Sequence, residues 1–371
     1  MIIGVPKEIK NSEFRVGLTD ENVKQLVKAG HQLFVQKSAG KEIGIFDSDY
    51  EKAGAILLDS IEEIYNKSEM IVKVKEPLKV EYKLFKENQI LFTFLHLAPE
   101  PDLTSALCDK GVCAIAYETV EDKTGALPLL KPMSEVAGRV GLQNGIYYLQ
   151  KFTGGKGVLP GGIEGAKPAQ ITILGGGAAG IHSAMMAVGL SAQVRILDID
   201  ESRLKYLSEY FNSKVDCVMS NKESIEQALK DTDVLIGSVL VTGHKAPKLI
   251  TKDMMSLLPE KSVVVDISID QGGCIETARP TSHTKPTYEI DNIIHYCVPN
   301  IPSAVARTST YALTKQSFPY VEQLANKGFN QAMQNPHFRK GLNVYKGSIT
   351  YEPVAQALNR NYQVAKITDE L

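Results

Sequence analysis

Short apolar runs alternate with amphipathic stretches along most of the chain. Residues 2–5 read as a strand, followed by the charged loop KEIKNSEFR that holds Arg15. Val23, Leu26 and Val27 recur at helical spacing, and Gly30 stops that helix. Strands are expected at 33–35, 70–74, 90–95 and 112–116, with helices near 60–65 and 99–108 between them. That βαβα order predicts a parallel sheet covered on both faces. A linker, EDKTGALPLLKP, leads to Ser134, read as the N-cap of a long helix reaching about Leu149. The alternation then resumes, with strands at 171–174, 194–197, 214–219, 234–236, 263–267 and 293–297 and helices at 201–210 and 223–229. After Pro302 strands are expected to cease. The C-terminal segment reads as a helical stretch over 309–333, bent at Pro319, and a last helix near 352–358. Such a tail is expected to pack back on the first domain. The fold expected is therefore α/β with two doubly wound domains. One is a discontinuous substrate domain of flavodoxin-like type (1–128 and 305–371), and the other a Rossmann dinucleotide-binding domain (129–304).

The most informative stretch is ITILGGGAAGIHSAMMAVGLSAQVRILD, residues 171–198. It runs strand, glycine turn, helix, strand, acid, the layout of a dinucleotide-binding unit. Gly175 allows the tight turn, Gly177 lets the backbone approach a pyrophosphate, and Gly180 lets the helix pack on the strand. The phosphates would sit on the free N–H groups that open the helix. Asp198 would accept from both ribose hydroxyls and repel a 2′-phosphate, which favours NAD over NADP.

Composition narrows the class. At 371 residues, two domains are the natural expectation. Hydrophobic content of 43% and charged content of 23% are ordinary for a globular protein, and a formal charge of −2 advertises neither nucleic acid nor a membrane surface. The start, MIIGVPKEIK, shows no secretory leader pattern. Five cysteines without a CxxC pair read as reduced thiols in a cytoplasmic protein.

Ligands of open α/β sheets bind outside the carboxyl ends of the strands. Arg15, Lys75, His96 and Asp270 stand at such ends or just after them. Arg15 reads either as a solvated surface arginine or as a bidentate clamp on a small carboxylate. Lys75 is a sheet-edge charge or a group that polarises a carbonyl or imine. His96, after LFTFL, is a satisfied structural histidine or a general acid/base. Asp266 reads as a buried mid-strand residue, whereas Asp270, before glycines, is better placed to face a nicotinamide. Together they could oxidise an amino acid, by holding a carboxylate, polarising the reacting carbon and moving protons.

At these residues the chain resembles the alanine dehydrogenase family over nearly its whole length. The matching stretches are GVPKEIKNSEFRVGLT, VKVKEP, ILFTFLHLAP, AYETV, LPLLKPMSEVAGR, ITILGGGAAG, LIGSVLV, KAPKLI, VVVDISIDQGGC and TSTYALT. The resemblance implies reversible oxidative deamination of L-alanine to pyruvate and ammonia with NAD, by a homo-oligomer that is usually a hexamer. It implies that Arg15 and Lys75 bind substrate and that His96 and Asp270 are catalytic. Contacts to NAD would fall on Ser134, Ala178, Ala179, Asp198, Arg203, Ser220, Val239, Leu240, Ile267, Ser268, Ile269, Asp270, Arg279, Val298, Pro299, Asn300 and Ile301. Ser191 stands where the family commonly has glycine, and Pro299 and Ala306 alter a loop that borders the nicotinamide. Gln323 and Lys327 occupy the places where some members bind a metal, so no metal is expected. Neither a nucleic acid nor a membrane is an expected partner. The alternatives are the soluble NAD(H)-binding subunit of a proton-translocating transhydrogenase, which Lys75, His96 and the MSEVAGR helix start argue against, and a non-catalytic NAD-binding sensor.

Overall fold

The computed structural model describes residues 1–239 and 246–367. The chain forms two compact units, one of Met1–Met133 with Val305–Leu371 and one of Ser134–Ala304.

The first unit is built on an eight-stranded sheet. Its strands are β1 (Ile2–Val5), β2 (Gln32–Gln36), β3 (Ile56–Leu58), β4 (Met70–Val72), β5 (Ile90–Thr93) and β6 (Cys113–Ala116), followed much later in the chain by β14 (Leu342–Tyr345) and β15 (Ser348–Ile349). The order across the sheet is β15-β14-β6-β5-β4-β1-β2-β3, with β1 to β6 parallel and the last two antiparallel. Without the short edge strand β3, the parallel strands follow the flavodoxin-like order; with it, they follow 3-2-1-4-5-6. Both orders reverse between β1 and β4, and the loops after those strands carry Arg15 and Lys75. Strand β4 is apolar and wholly buried, as a parallel strand covered on both faces must be.

Helices connect the strands: α1 (Asp20–Lys28), α2 (Asp47–Lys52), α3 (Ile61–Lys67) and α4 (Pro101–Asp109). Thr19 and Ser60 cap α1 and α3 through capping boxes with Asn22 and Glu63. Ile71, Leu91, Leu95, Leu103 and Leu107 pack with Val344 and Val354 of the late segment in one core. The expectation that strands cease after Pro302 is therefore corrected. Lys346 and Gly347 both have positive φ, as a two-residue hairpin turn requires, and the turn returns the chain as β15.

The second unit carries β7 (Gln170–Leu174), β8 (Gln193–Asp198), β9 (Asp216–Met219), β10 (Val234–Gly237), β11 (Val263–Asp266), β12 (Thr287–Ile290) and β13 (Ile293–Tyr296). Their order is β12-β13-β11-β10-β7-β8-β9, parallel except for the β12–β13 hairpin, so the parallel strands again run 3-2-1-4-5-6. The long helix α5 (Lys131–Leu149) leads into this unit, which also holds α6 (Ala178–Gly189), α7 (Glu201–Tyr210) and α8 (Lys222–Leu229). Ser134 is not an N-cap: α5 starts three residues earlier, at Lys131, with Pro132 in its first turn, where a missing N–H costs nothing. Asp266 is the last residue of β11 rather than a mid-strand one, and Asp270 lies in the next element, the 3₁₀ turn Ile267–Gln271.

Back in the first unit, α9 (Ala306–Lys327) runs unbroken through Pro319 and buries Leu313, Ser317, Val321 and Leu324, a helical stripe. No helix among the described residues is long and apolar enough to cross a membrane. All five cysteines are free thiols.

Candidate active site

In the first unit, the carboxyl ends of β1, β4, β5 and β6 gather an ionic cluster. Arg15 is 2% exposed, which removes the reading of a solvated surface arginine. Its Nε and Nη2 donate to Glu13 Oε1 and Oε2 at 2.7 and 2.6 Å, a bidentate pair, and Nη1 lies 3.0 Å from Met133 Sδ. Lys75 is also buried, with Nζ 3.8 Å from Glu76 Oε2, while Glu76 Oε1 pairs with Lys10. Burial pushes the Glu76 carboxyl up, but Lys75 and Lys10 outweigh it and hold it below the ordinary value.

Of this cluster, sequence reasoning singled out only Arg15 and Lys75. Glu8 Oε1 accepts the backbone N–H of Val74 at 2.6 Å and of Lys75 at 3.3 Å, so it fixes the backbone that carries Lys75. Lys73, 1% exposed, donates to Glu81 at 2.7 Å and stands 3.7 Å from Glu8. Burial raises the Glu8 carboxyl to about 7, partly offset by Lys73 and reinforced by Glu13. The available signal was KVK itself, in which a second lysine stands two residues before Lys75.

His96 follows β5 with φ of 48°, a left-handed conformation costly for a residue with a side chain. Glu118, just after β6, holds it there by accepting the His96 N–H at 2.6 Å and the Leu95 N–H at 3.2 Å. The imidazole stacks on Phe94, 5.8 Å between centroids, with Nδ1 4.0 Å from Glu118 Oε1. It is 37% exposed, so the ring is open to a reacting molecule. Glu118 also escaped sequence reasoning, because nothing local links it to residue 96.

In the second unit, the predicted cofactor residues lie mostly at the carboxyl ends of the strands. Gly175 (φ 93°) turns the chain after β7. A side chain at Gly180 would strike the Gly175 carbonyl, so α6 packs there only as glycine permits. At Gly177 a side chain would meet nothing, which leaves the backbone opening α6 accessible. Asp198, ending β8, accepts the Gly176 N–H at 2.6 Å, and Arg203 donates to the Gly176 carbonyl at 2.6 Å. Ser220 donates its N–H to the Asp198 carbonyl at 2.8 Å. Glycine turn, acid and basic residue thus meet at one place, and this donor set suits a dinucleotide. Ser134 stands in the first turn of α5, one turn from Gly138, where a side chain would collide with the Ala179 carbonyl.

Val239 follows β10, and its carbonyl accepts from Ser268 Oγ at 2.7 Å. Ile267, Ser268, Ile269 and Asp270 form the turn after β11; Val298 to Ile301 follow β13, and Asn300 donates its N–H to Asp270 Oδ2 at 3.2 Å. Arg279 is held apart on the antiparallel edge, its guanidinium 4.4 Å over Tyr288 of β12. Leu240 lies outside the described residues. An open groove of about 1310 Å³ borders α7, β8 and β9, but no predicted residue lines it, and Arg195 within it is already paired with Asp216 and Asp231. Among the described residues, no three His, Cys, Asp or Glu side chains are grouped to hold a metal ion.

Comparison with known proteins shows the family. The model of the alanine dehydrogenase/PNT N-terminal domain matches residues 4–137, and that of the C-terminal domain matches residues 141–352. The chain belongs to the alanine dehydrogenase/PNT family. It is 53% identical over 368 residues to an alanine dehydrogenase of Methanococcus maripaludis, covering 99% of each chain. A solved L-alanine dehydrogenase superposes with a TM-score of 0.93 at 49% identity, over 97% of this chain and 99% of that one. A transhydrogenase from Sinorhizobium meliloti gives a TM-score of 0.83 at 22% identity, over 94% of this chain and all of that one, a likeness of fold.

Proposed function

We propose that this chain catalyses the reversible, NAD-dependent oxidative deamination of L-alanine to pyruvate and ammonia. The observation that carries the reading is near-complete coverage at about half identity to alanine dehydrogenases. The buried cations at the carboxyl edge of the first unit give it a chemical rationale. NAD, when bound, supplies the hydride acceptor.

The remaining chemistry falls to the chain's own groups. Arg15, fixed by Glu13, and Lys75, fixed through its backbone by Glu8, offer two cations to a small carboxylate. Lys75 also polarises the carbonyl or imine carbon. His96 takes the proton from the substrate ammonium and later helps water add to the iminium, with the Asp270 carboxylate as the second catalytic group. The first unit acts as the substrate domain. In the second, Gly175 to Gly180, Asp198 and Arg203 hold the dinucleotide, with further contacts from Ser134, Ser220, Val239, Ile267 to Asp270, Arg279 and Val298 to Ile301.

We further propose a cytoplasmic homohexamer. Phe152, Leu159 and Ile163 are exposed apolar side chains close together in sequence, consistent with self-association. The deciding experiment is NADH formation from L-alanine at alkaline pH, with NADH consumption by pyruvate plus ammonium as its reverse. Protein that binds NADH but supports neither direction would overturn the assignment. Sedimentation analysis tests the hexamer.

A further inference from the structure

The loop after β11 carries Asp270, and both its ends are tied to one side chain that the mechanism above does not use. Asp266 is wholly buried. Its Oδ1 accepts the Ser268 N–H at 3.0 Å, and its Oδ2 accepts the Ile275 N–H at 3.2 Å, where the loop rejoins the fold. The protein makes room for this carboxylate with glycines. A side chain at Gly273 would begin 2.6 Å from Asp266 Oδ2, and one at Gly237, opposite on β10, would begin 3.4 Å from Oδ1. Gly272 and Gly273 are both left-handed, so the chain doubles back around the carboxylate at little steric cost.

We propose that Asp266 is a positioning residue that sets the conformation of Ile267–Cys274, and through it the placement of Asp270 and the grip on the nicotinamide half of NAD. This rests on the reading of Ile267 to Asp270 as cofactor-facing. The groups around the carboxylate are Cys274 (Sγ 3.9 Å from Oδ1), Cys297, and Lys248, whose Nζ donates to the Gly272 and Ile275 carbonyls at 2.6 and 3.1 Å. Burial raises the Asp266 carboxyl to about 6, against the lowering effects of the Ile275 N–H and Lys248, so the two-acceptor form prevails at neutral and alkaline pH. An asparagine cannot replace it. Asn has one acceptor oxygen, so its amide would present a donor to one of the two N–H groups whichever way it turns.

The test uses the intact chain and two probes, NADH and ADP-ribose, which lacks the nicotinamide. D266N is expected to weaken NADH binding and lower kcat, each by about tenfold or more, while ADP-ribose affinity stays within about twofold. G273A, which keeps the carboxylate but crowds it, should reproduce that split. It also provides the second measurement should D266N not fold. Equal weakening of both probes, or unchanged NADH binding, in the variants that fold would overturn the proposal. Wild-type protein that binds NADH without turning over alanine would remove the proposed function, yet the binding split would still decide the role of Asp266. Failure of the wild type to bind NADH would remove both.

Discussion

Replacing Glu8 by glutamine tests whether the cluster beneath Lys75 carries an ionisation the fold opposes. Glu8 and Glu81 share one buried ammonium, Lys73, and Glu8 is the more distant partner, at 3.7 against 2.7 Å. Burial raises its carboxyl from 4.5 to about 7. At about 1.4 kcal/mol for each pH unit, ionising Glu8 in the folded protein costs about 3 kcal/mol more than in the unfolded chain. Between those two values the folded protein binds more protons than the unfolded chain, so this group's contribution is fully present below the lower one. It is lost as pH rises through the upper one. E8Q lacks the ionisation but keeps an oxygen for the Val74 N–H. The stability of E8Q relative to wild type, from urea unfolding at a series of pH values, should therefore rise with pH. It should level off above about pH 7 with a gain of about 3 kcal/mol. Comparing the two proteins cancels the parallel effect of Asp266, which burial raises to about 6. A difference that stays flat between about pH 5 and 8, or that falls, would refute the reasoning.

Lys73→Met strands Glu8 and Glu81 without their buried cation, and should cost about 3–5 kcal/mol at pH 8, read from the urea midpoint. Ser191 holds φ of 59° just beyond α6, so S191G should stabilise the protein by about 1 kcal/mol in the same measurement. His96→Ala should lower alanine-dependent NADH formation by about a hundredfold or more with an unchanged circular dichroism spectrum; wild-type rates would take His96 out of the mechanism.

The architecture was legible where local pattern and tertiary role coincide. Largely apolar runs such as ITIL and VVV became most of β7 and β11 because a parallel strand buried on both faces has to be mainly apolar. The glycine turn was legible because Gly175 and Gly180 answer to backbone geometry that no other residue satisfies well. The β14–β15 hairpin was not, because its turn is Lys-Gly rather than the more telling Asn-Gly, and its strands are four and two residues long. The start of α5 was not legible because Ser134 looks like a cap, while Pro132, two residues earlier, is tolerated in the same first turn. Asp266 reads from the sequence as a buried mid-strand residue, since its partners, Ser268 and Ile275, depend on how the loop closes.

The candidate site shows a deeper limit of sequence reading. Arg15, Lys75 and His96 stand out because each ends a strand or comes soon after one, but what holds them comes from elsewhere: Glu8 lies 66 residues before Val74, and Glu118 lies 22 after His96. Buried charges are stable only in company, and their partners are chosen by the fold. The company here is balanced, with Glu8, Glu13, Glu76 and Glu81 against Lys10, Arg15, Lys73 and Lys75. With Glu8 raised to about 7, part of that negative charge is given up near neutral pH, and the cluster then holds an excess cation. A small carboxylate is the species that such an excess attracts. On the proposed function, the same burial that makes Glu8 costly to ionise would leave Arg15 and Lys75 with charge to offer an anionic substrate, so that stability and binding would draw on one set of charges.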